Sequence, residues 1–170
     1  MNYKKIFLKK GKESSLERFH PWVFSGAVAY ADKNIAEGEI VEVYTANKEF
    51  IAVGHFQIGS IAVRVLSFNQ QEINHDFWVK RLAAAYQMRK DLGLDYTPEH
   101  SSFRLVHGEG DFLPGLIVDF YGSTAVMQAH SVGMHMHREE IAQCLVEISE
   151  GKIKNVYYKS ETTLPYKADT

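Results

Sequence analysis

The densest group of carboxylates in the chain comprises Glu109, Asp111 and Asp119. Paired carboxylates can perform acid–base chemistry or bind a hard cation. The first two lie in the run Gly108-Glu109-Gly110-Asp111, shortly before Leu113-Pro114-Gly115, which is typical of a tight, glycine-dependent turn whose aspartate bonds its own backbone. We therefore interpret the group as structural. A stand-alone hydrolase that uses Glu109, Asp111 and a histidine is the alternative.

Histidines and one cysteine are the other reactive side chains. His135 and His137, with His130 upstream, could bind zinc, but positions i and i+2 of a helix point about 200° apart. No carboxylate or further histidine has the usual spacing, so we predict no metal site. Cys144 falls on the apolar stripe of a predicted helix, where burial raises the pKa of a thiol. We expect it to pack in the core and not to act as a nucleophile.

The sequence also lacks the usual loops that cradle phosphates. Gly108 and Gly110 do not extend to G-x-G-x-x-G, and nothing matches G-x-x-x-x-G-K-[ST]. No βαβ unit of parallel strands is predicted that could hold a nucleotide. The sequence therefore predicts no catalytic and no cofactor-binding residue in this chain.

Basic and aromatic residues cluster near the amino end. Residues 1–20 contain six lysines or arginines and two glutamates, a balance of +4, and they lead into a run rich in aromatic residues. Lysine and arginine contact phosphates, whereas histidine and tryptophan can stack on bases. Val23 or Phe24 is expected in the core, because one side of a strand is buried. The predicted RNA-binding residues are Lys9, Lys10, Lys12, Arg18, His20, Trp22 and, on a later strand, Arg64.

Length and charge exclude several classes of protein. The 170 residues have a formal net charge of −2, which argues against a generic nucleic-acid binder, although residues 73–150 have a balance of −5, opposite to the amino end. No apolar run approaches the roughly 20 residues that cross a bilayer, so we expect a soluble, cytoplasmic protein without a membrane partner. One cysteine cannot form an intramolecular disulfide.

Short strands dominate the pattern of the first 70 residues. A brief helix is expected to begin at a capping box formed by Ser14 and Glu17 and to run toward Phe19. Residues 67–72 are polar enough to form a linker. This pattern is typical of a small all-β barrel, with strands at 6–8, 22–24, 40–44, 50–54 and 61–66.

The periodicity changes after Asn74, which is a predicted N-cap. The helix that it opens ends near Gly93, and its apolar face includes Arg89 and, at its edge, Arg81, which need a carboxylate or access to solvent. A second amphipathic helix covers residues 141–148. Strands are predicted at 103–106, 116–121, 124–128 and 153–158. The fold class is therefore an all-β domain at 1–70 followed by an α+β domain at 74–170.

Three segments resemble, in order, the bacterial ribosomal RNA large-subunit methyltransferases that make 5-methylcytosine. They are Arg18 to Ala27, Gly54 to Leu66 and the more specific segment Phe103 to Tyr121. The resemblance implies a PUA-like barrel, a central domain of β-β-α-β-β type and a Rossmann-like domain that binds S-adenosylmethionine and holds the catalytic cysteine. Phe112 and Phe120 depart from the family, which often has glycine and arginine there.

The resemblance also implies that the methyl donor and the catalytic cysteine belong to a third domain without a counterpart in these residues. Cys144 does not match that cysteine. We therefore expect this chain to recognise ribosomal RNA for an S-adenosylmethionine-dependent 23S rRNA (cytosine-5) methyltransferase and to be inactive by itself. A homodimer is a further candidate assembly. A non-enzymatic RNA-binding or dimerisation module is the alternative function.

Overall fold

The structure is a computed structural model that describes residues 2–95, 97 and 101–164. It divides into two compact units, Met1–Glu72 and Ile73–Thr170. Within the described residues, no helix is long and apolar enough to cross a membrane.

A six-stranded sheet forms the first unit. A four-residue helix, α1 (Ser14–Glu17), lies between its first two strands in the chain. The five strands that the sequence predicts are confirmed. A further short strand, β3, is not predicted, because only a three-residue turn separates it from β2 and the apolar pattern does not reveal that turn. The strands are β1 (Lys4–Leu8), β2 (Trp22–Phe24), β3 (Val28–Ala31), β4 (Ile40–Tyr44), β5 (Phe50–Phe56) and β6 (Ile61–Ser67).

The strand order β2-β6-β5-β4-β1-β3 explains why this sheet curls. Strands β2 and β3 lie at opposite ends of the ladder, yet only the 3₁₀ turn Ser25–Ala27 joins them in the chain. Three residues span at most about 10 Å, so the two ends of the sheet must approach each other there. The predicted barrel is thus a curled sheet, and it is not purely antiparallel, because β1 pairs with β4 in parallel.

Apolar side chains fill the inside of the curled sheet. Leu16 of α1 joins residues from five strands in this core. On β5, Gly54 permits close packing, since a Cβ there would lie only 2.1 Å from the carbonyl oxygen of Arg64. The core residues, each 2% exposed or less, are Ile6, Leu8, Leu16, Val23, Val41, Val43, Ala52, Val63 and Val65.

The predicted capping box at the start of α1 is wrong. Glu13 is the N-cap, it makes no side-chain cap hydrogen bond, and the helix already ends at Glu17. Phe19 adopts a left-handed φ of +61°, which turns the chain out of the helix before Pro21. A single helical turn packed through Leu16 forms here without the cap.

Three helices and a four-stranded sheet make up the described part of the second unit. The Asn74 side chain accepts a 3.1 Å hydrogen bond from the Phe77 amide, which confirms the predicted N-cap. The sheet order is β10-β9-β8-β7. The elements are α2 (His75–Asp91), β7 (Ser102–His107), β8 (Leu116–Tyr121), β9 (Thr124–Ala129), α3 (Val132–Met136), α4 (Arg138–Ile148) and β10 (Asn155–Tyr158).

The order of elements in this unit differs from the expected β-β-α-β-β pattern. In the described residues, three antiparallel strands precede α3 and α4, and one strand follows them. The last strand, β10, pairs with β9 in parallel, which requires a crossover connection, and the two helices provide it. Helix α3 has no counterpart in the predicted elements, because its five residues are too few to establish a helical period.

Candidate nucleic-acid interface

The lysine-rich loop after β1 is fastened to the turn between β2 and β3. The Lys9 amide donates to the carbonyl oxygen of Ala27, and its Nζ donates to that of Gly26, both at 2.9 Å. The Lys12 amide donates back to the Lys9 carbonyl at 3.1 Å, and Gly11 takes a φ of +77° that closes this turn. The backbone thus holds Lys9 and Lys12 close to the turn, with both residues exposed.

Helix α1 positions Arg18 beside the same loop. The Arg18 Nε donates to the carbonyl oxygen of Ser14 at 3.2 Å, and the residue is exposed. A backbone carbonyl orients the guanidinium without cancelling its charge. The positive charge of Arg18 is therefore available for an ionic contact with an anion.

An aromatic cluster extends from the chain before β2 along its outer side. His20, Trp22 and Phe24 alternate with the core residue Val23, and their ring centroids lie 5.6 to 6.2 Å apart. The Trp22 amide donates to His20 Nδ1 at 3.2 Å, which orients the imidazole. Phe24 is 47% exposed and Val23 is 2% exposed, so Val23 is the one of the two adjacent residues that lies in the core. Strand alternation allows only one of them to face the core, and the position of β2 in the sheet decides which.

Between the lysine loop, α1 and Phe24 lies an open groove of about 410 Å³. Phe24 supplies an aromatic wall, Lys12 supplies a cation, and Ser14 and Ser15, which sequence reasoning missed, supply hydroxyl groups. The lining residues are Gly11, Lys12, Ser14, Ser15, Phe24, Gly26 and Ala27. Such a groove can accept an unpaired base against the ring and a phosphate near the cation.

The structure brings some of the predicted RNA-binding residues to this groove and leaves others outside its lining. Lys12 lines it, Lys9 and Arg18 contact the carbonyl groups of its lining residues, and His20 and Trp22 pack beside Phe24. Lys10 is exposed on the neighbouring loop.

Arg64 lies outside the groove. It is directly opposite Trp22 across the β2–β6 pair. Its Nη1 donates to Gln57 Oε1 at 2.7 Å, and the residue is half-buried. The arginine that faces Trp22 is therefore oriented by a residue that directly follows β5.

Two of the three carboxylates in the densest group, Asp111 and Asp119, form structural ion pairs. Asp111 is buried and accepts from Arg89 Nη1 at 2.5 Å and Nη2 at 2.7 Å, and it also accepts from the His107 amide. Asp119 accepts two hydrogen bonds from Arg104, which raises the pKa of that guanidinium. The sequence predicts that Arg89, on the apolar face of α2, needs a carboxylate or access to solvent, and Asp111 is that carboxylate. The geometry disfavours the hydrolase alternative, because Asp111 is fully engaged in this pair.

The predicted departures from the family pattern have structural reasons. Phe120 is 2% exposed and packs on Phe103, with ring centroids 5.2 Å apart, so this position faces the core. Phe112 has a left-handed φ of +56°, a conformation that glycine adopts without strain. The Arg81 guanidinium lies over the rings of Phe77 and Phe112, at 5.4 and 5.5 Å, and burial lowers its pKa.

The histidines and the cysteine have local structural partners. His135 Nδ1 lies 2.7 Å from the Tyr158 hydroxyl, and His137 Nδ1 lies 2.9 Å from the Gly133 carbonyl. Among residues 2–95, 97 and 101–164, no group of three potential ligands is arranged to hold a metal ion. Cys144 is buried, and its pKa is raised to about 11, mainly by desolvation. Such a thiol is a poor nucleophile at neutral pH.

Comparison with protein families and curated proteins identifies relatives of the chain. A family model described as a PUA-like domain matches residues 6–68. Ribosomal RNA large subunit methyltransferase I of Erwinia tasmaniensis is 40% identical over 143 residues, which cover 83% of this chain and 36% of that protein. The protein of the same name from Vibrio campbellii is 34% identical over 164 residues, which cover 94% of this chain and 39% of the relative.

Solved structures share the fold at lower sequence identity. "A putative SAM-dependent methyltransferase from Streptococcus mutans" has a TM-score of 0.76 and 17% identity, over 92% of this chain and 40% of that one. A second structure, a "putative methyltransferase complexed with SAH", has a TM-score of 0.77 at the same identity and coverage. The chain spans less than two fifths of the length of the two ribosomal RNA large subunit methyltransferases that it matches. Residues 6–68 are a PUA-like domain.

Proposed function

We propose that this chain binds ribosomal RNA through the groove beside Phe24 and thereby recognises the substrate of an rRNA (cytosine-5) methyltransferase. The observation that carries the proposal is the exposed Phe24 ring in a groove next to Lys9, Lys12 and Arg18. The names of the curated relatives supply the rRNA and the methyl transfer. Because rRNA is the target, the reaction is expected in the cytoplasm.

The chemistry of the groove favours an unpaired RNA segment. The aromatic wall can stack on any base, and base–aromatic stacking is sequence-tolerant. The neighbouring cations would contact the phosphate that leads into the stacked nucleotide, which makes the binding depend on salt. Lys9 and Arg18 are oriented by backbone carbonyls at 2.9 and 3.2 Å, so little side-chain entropy remains to be lost on binding.

The described residues do not fit the methyl donor of such an enzyme. A Rossmann-like site for S-adenosylmethionine would resemble a dinucleotide-binding site, in which a glycine-rich turn leads from a parallel strand into a helix. Strands β1 and β9 each have a parallel partner, but neither leads through a glycine-rich turn into a helix. The donor therefore belongs outside these residues.

The chain by itself is expected not to transfer a methyl group. In the family that the sequence resembles, a cysteine attacks C6 of cytosine so that C5 becomes nucleophilic toward the methyl group. Cys144 is the only cysteine here, and burial raises its pKa to about 11. The contribution of the chain is recognition, and the reaction needs a cysteine that these residues do not supply.

Fluorescence anisotropy with a labelled 23S rRNA hairpin tests the groove. Wild type is titrated at about 50 mM and about 200 mM salt and compared with Lys12→Ala, Arg18→Ala and Phe24→Ala. Each lost phosphate contact should reduce the slope of log K against log salt by about 1. Phe24→Ala should weaken binding at least about fivefold at both salt concentrations and leave the slope unchanged.

Lys33→Ala is the matched control, because Lys33 is an exposed lysine beyond the far end of the β1–β3 pair. It should bind like wild type. The proposal is wrong if Lys12→Ala and Arg18→Ala keep both the affinity and the salt slope of wild type. It is also wrong if the chain binds no RNA at the lower salt concentration.

A further inference from the structure

The sheet of the second unit has one open face. Pairing across β7 to β10 aligns eleven side chains in three rows on the side opposite to the core, and none of the eleven residues is buried by the rest of the described chain. The rows are Ser102, Tyr121, Thr124 and Asn155; Arg104, Asp119, Val126 and Tyr157; and His107, Ile117 and Gln128.

The other face of the same sheet is closed. Leu105, Val118, Phe120, Ala125 and Met127 are each 2% exposed or less and form the core beneath the helices. The two faces alternate residue by residue along β8 and β9, so the exposure follows from strand geometry and not from loose packing.

Two tyrosines stand out on the open face. Tyr121 is 55% exposed and Tyr157 is 58% exposed. They are two strands and one row apart, which puts their Cα atoms roughly 12 Å from each other at about 4.8 Å per strand and 3.4 Å per residue. This separation allows each ring to stack on its own base, with the sheet as a rigid support.

The charges on the open face favour an anionic partner. Asp119 is the one carboxylate among the eleven residues, and the fork of Arg104 neutralises it through hydrogen bonds of 2.8 and 3.1 Å. Lys159 adds an exposed cation. Its amide donates to the Met127 carbonyl at 2.9 Å, so it continues the pairing of β10 with β9. Because side chains alternate along a strand, the Lys159 side chain lies on the same side as that of Tyr157. The face is thus net positive, although residues 73–150 have a balance of −5.

The geometry points to a second RNA contact on this open face, where unpaired bases stack on Tyr121 and Tyr157 and a phosphate lies near Lys159. This inference rests on the proposed function in one respect, that the chain binds RNA. It adds a separate contact surface in the other unit. The phosphate backbone of RNA supplies the complementary negative charge, and its unpaired bases supply planar surfaces for the two tyrosine rings.

Photo-crosslinking and anisotropy test the open face on the 170-residue chain. The same hairpin, with 4-thiouridine at its unpaired positions, is irradiated in the complex, and the attached peptides are identified by mass spectrometry. A crosslink to Tyr121 or Tyr157 is expected. Tyr121→Ala and Tyr157→Ala should each weaken binding about fivefold or more, whereas Tyr→Phe at either position should retain wild-type affinity, because the ring is what stacks.

Tyr30→Ala is the matched control, since Tyr30 is 56% exposed and lies on β3 of the first unit. It should bind like wild type, and circular dichroism verifies that every variant is folded. Wild-type affinity of both alanine variants, while Lys12→Ala and Arg18→Ala still weaken binding, would overturn this inference and leave the proposed function intact. A dimer in analytical ultracentrifugation that Tyr157→Ala dissociates without a change in RNA affinity would assign the face to a second copy instead.

Discussion

The groove of the first unit and the ion pairs of the second unit use their charged side chains in opposite ways. In the first unit, the groove cations Lys9 and Arg18 contact backbone carbonyls. In the second unit, the cations pair with carboxylates: Arg89 with Asp111, Arg104 with Asp119, Lys152 with Asp95, and Arg138 with Glu139. The first arrangement fixes the position of a charge, whereas the second cancels it.

This difference explains how the same residue types can suit anion binding in one unit and stability in the other. A cation on a neutral carbonyl keeps its attraction for phosphate, and an exposed one costs little to leave in water. A buried guanidinium can exist only with its carboxylate, because an isolated buried charge is very costly. Burial therefore indicates which charged pairs hold the fold, whereas exposed cations on neutral carbonyl groups are the candidates for contacts with phosphate.

The largest expected effect comes from breaking the buried pair of the second unit. Asp111→Ala leaves the Arg89 guanidinium buried without its partner and also removes the acceptor of the His107 amide. Removing one member of such a pair costs about 3–5 kcal/mol in the free energy of unfolding. Urea denaturation followed by circular dichroism measures this loss.

The matched experiment in the first unit is Lys4→Met, which breaks the half-exposed pair of Lys4 with Glu39 and keeps most of the apolar stem. Partly exposed pairs contribute about 0–1 kcal/mol, so this variant should unfold close to wild type. Equal losses for Asp111→Ala and Lys4→Met would contradict the distinction between the two units.

The first unit should be sensitive to a single methyl group added to its backbone at Gly54. In Gly54→Ala, the new Cβ would lie 2.1 Å from the carbonyl oxygen of Arg64, and this oxygen belongs to a strand that cannot move alone. Overpacking of this kind costs about 1–3 kcal/mol. Gly26→Ala is the control, because no atom lies within 4 Å of the corresponding Cβ. Thermal unfolding should show a clear loss for the first variant only.

Local patterns in the sequence predict the elements well and their assembly poorly. Strands β4 and β8 match their predicted limits, since alternation or a continuous apolar run is a property of neighbouring residues. The Asn74 cap is equally local. The parallel pairing of β1 with β4 depends on residues more than thirty positions apart, and no local pattern contains it.

The candidate site shows the same division. Its cations and aromatic residues are visible in the sequence because they lie in one run from Lys9 to Phe24. The exposure of Phe24 and the use of Ser14 and Ser15 depend on where β2 sits at the end of the curled sheet. The sequence also indicates that Arg89 needs a carboxylate, but only folding brings it to Asp111, which is 22 positions away.

The smallest expected effect concerns the acidic character of the second unit and its one thiol. Burial, with help from Glu140 and Glu147, raises the pKa of Cys144 from 9.0 to about 11. The unfolded chain therefore releases this proton at a lower pH than the folded chain does. Since the folded state binds the proton more tightly, its stability is fully present below about pH 9 and falls as the pH rises toward about 11.

Cys144→Ala removes this contribution to the pH dependence. Tyr44 and Tyr86 also have raised pKa values, but they contribute equally to wild type and to the variant. The variant should lose some stability at every pH from the smaller side chain, so the informative quantity is the change with pH. Urea midpoints at about pH 8 and about pH 10 should fall further for wild type than for Cys144→Ala. Parallel curves would mean that neither burial nor the carboxylates of α4 raise the pKa of Cys144 in the folded chain.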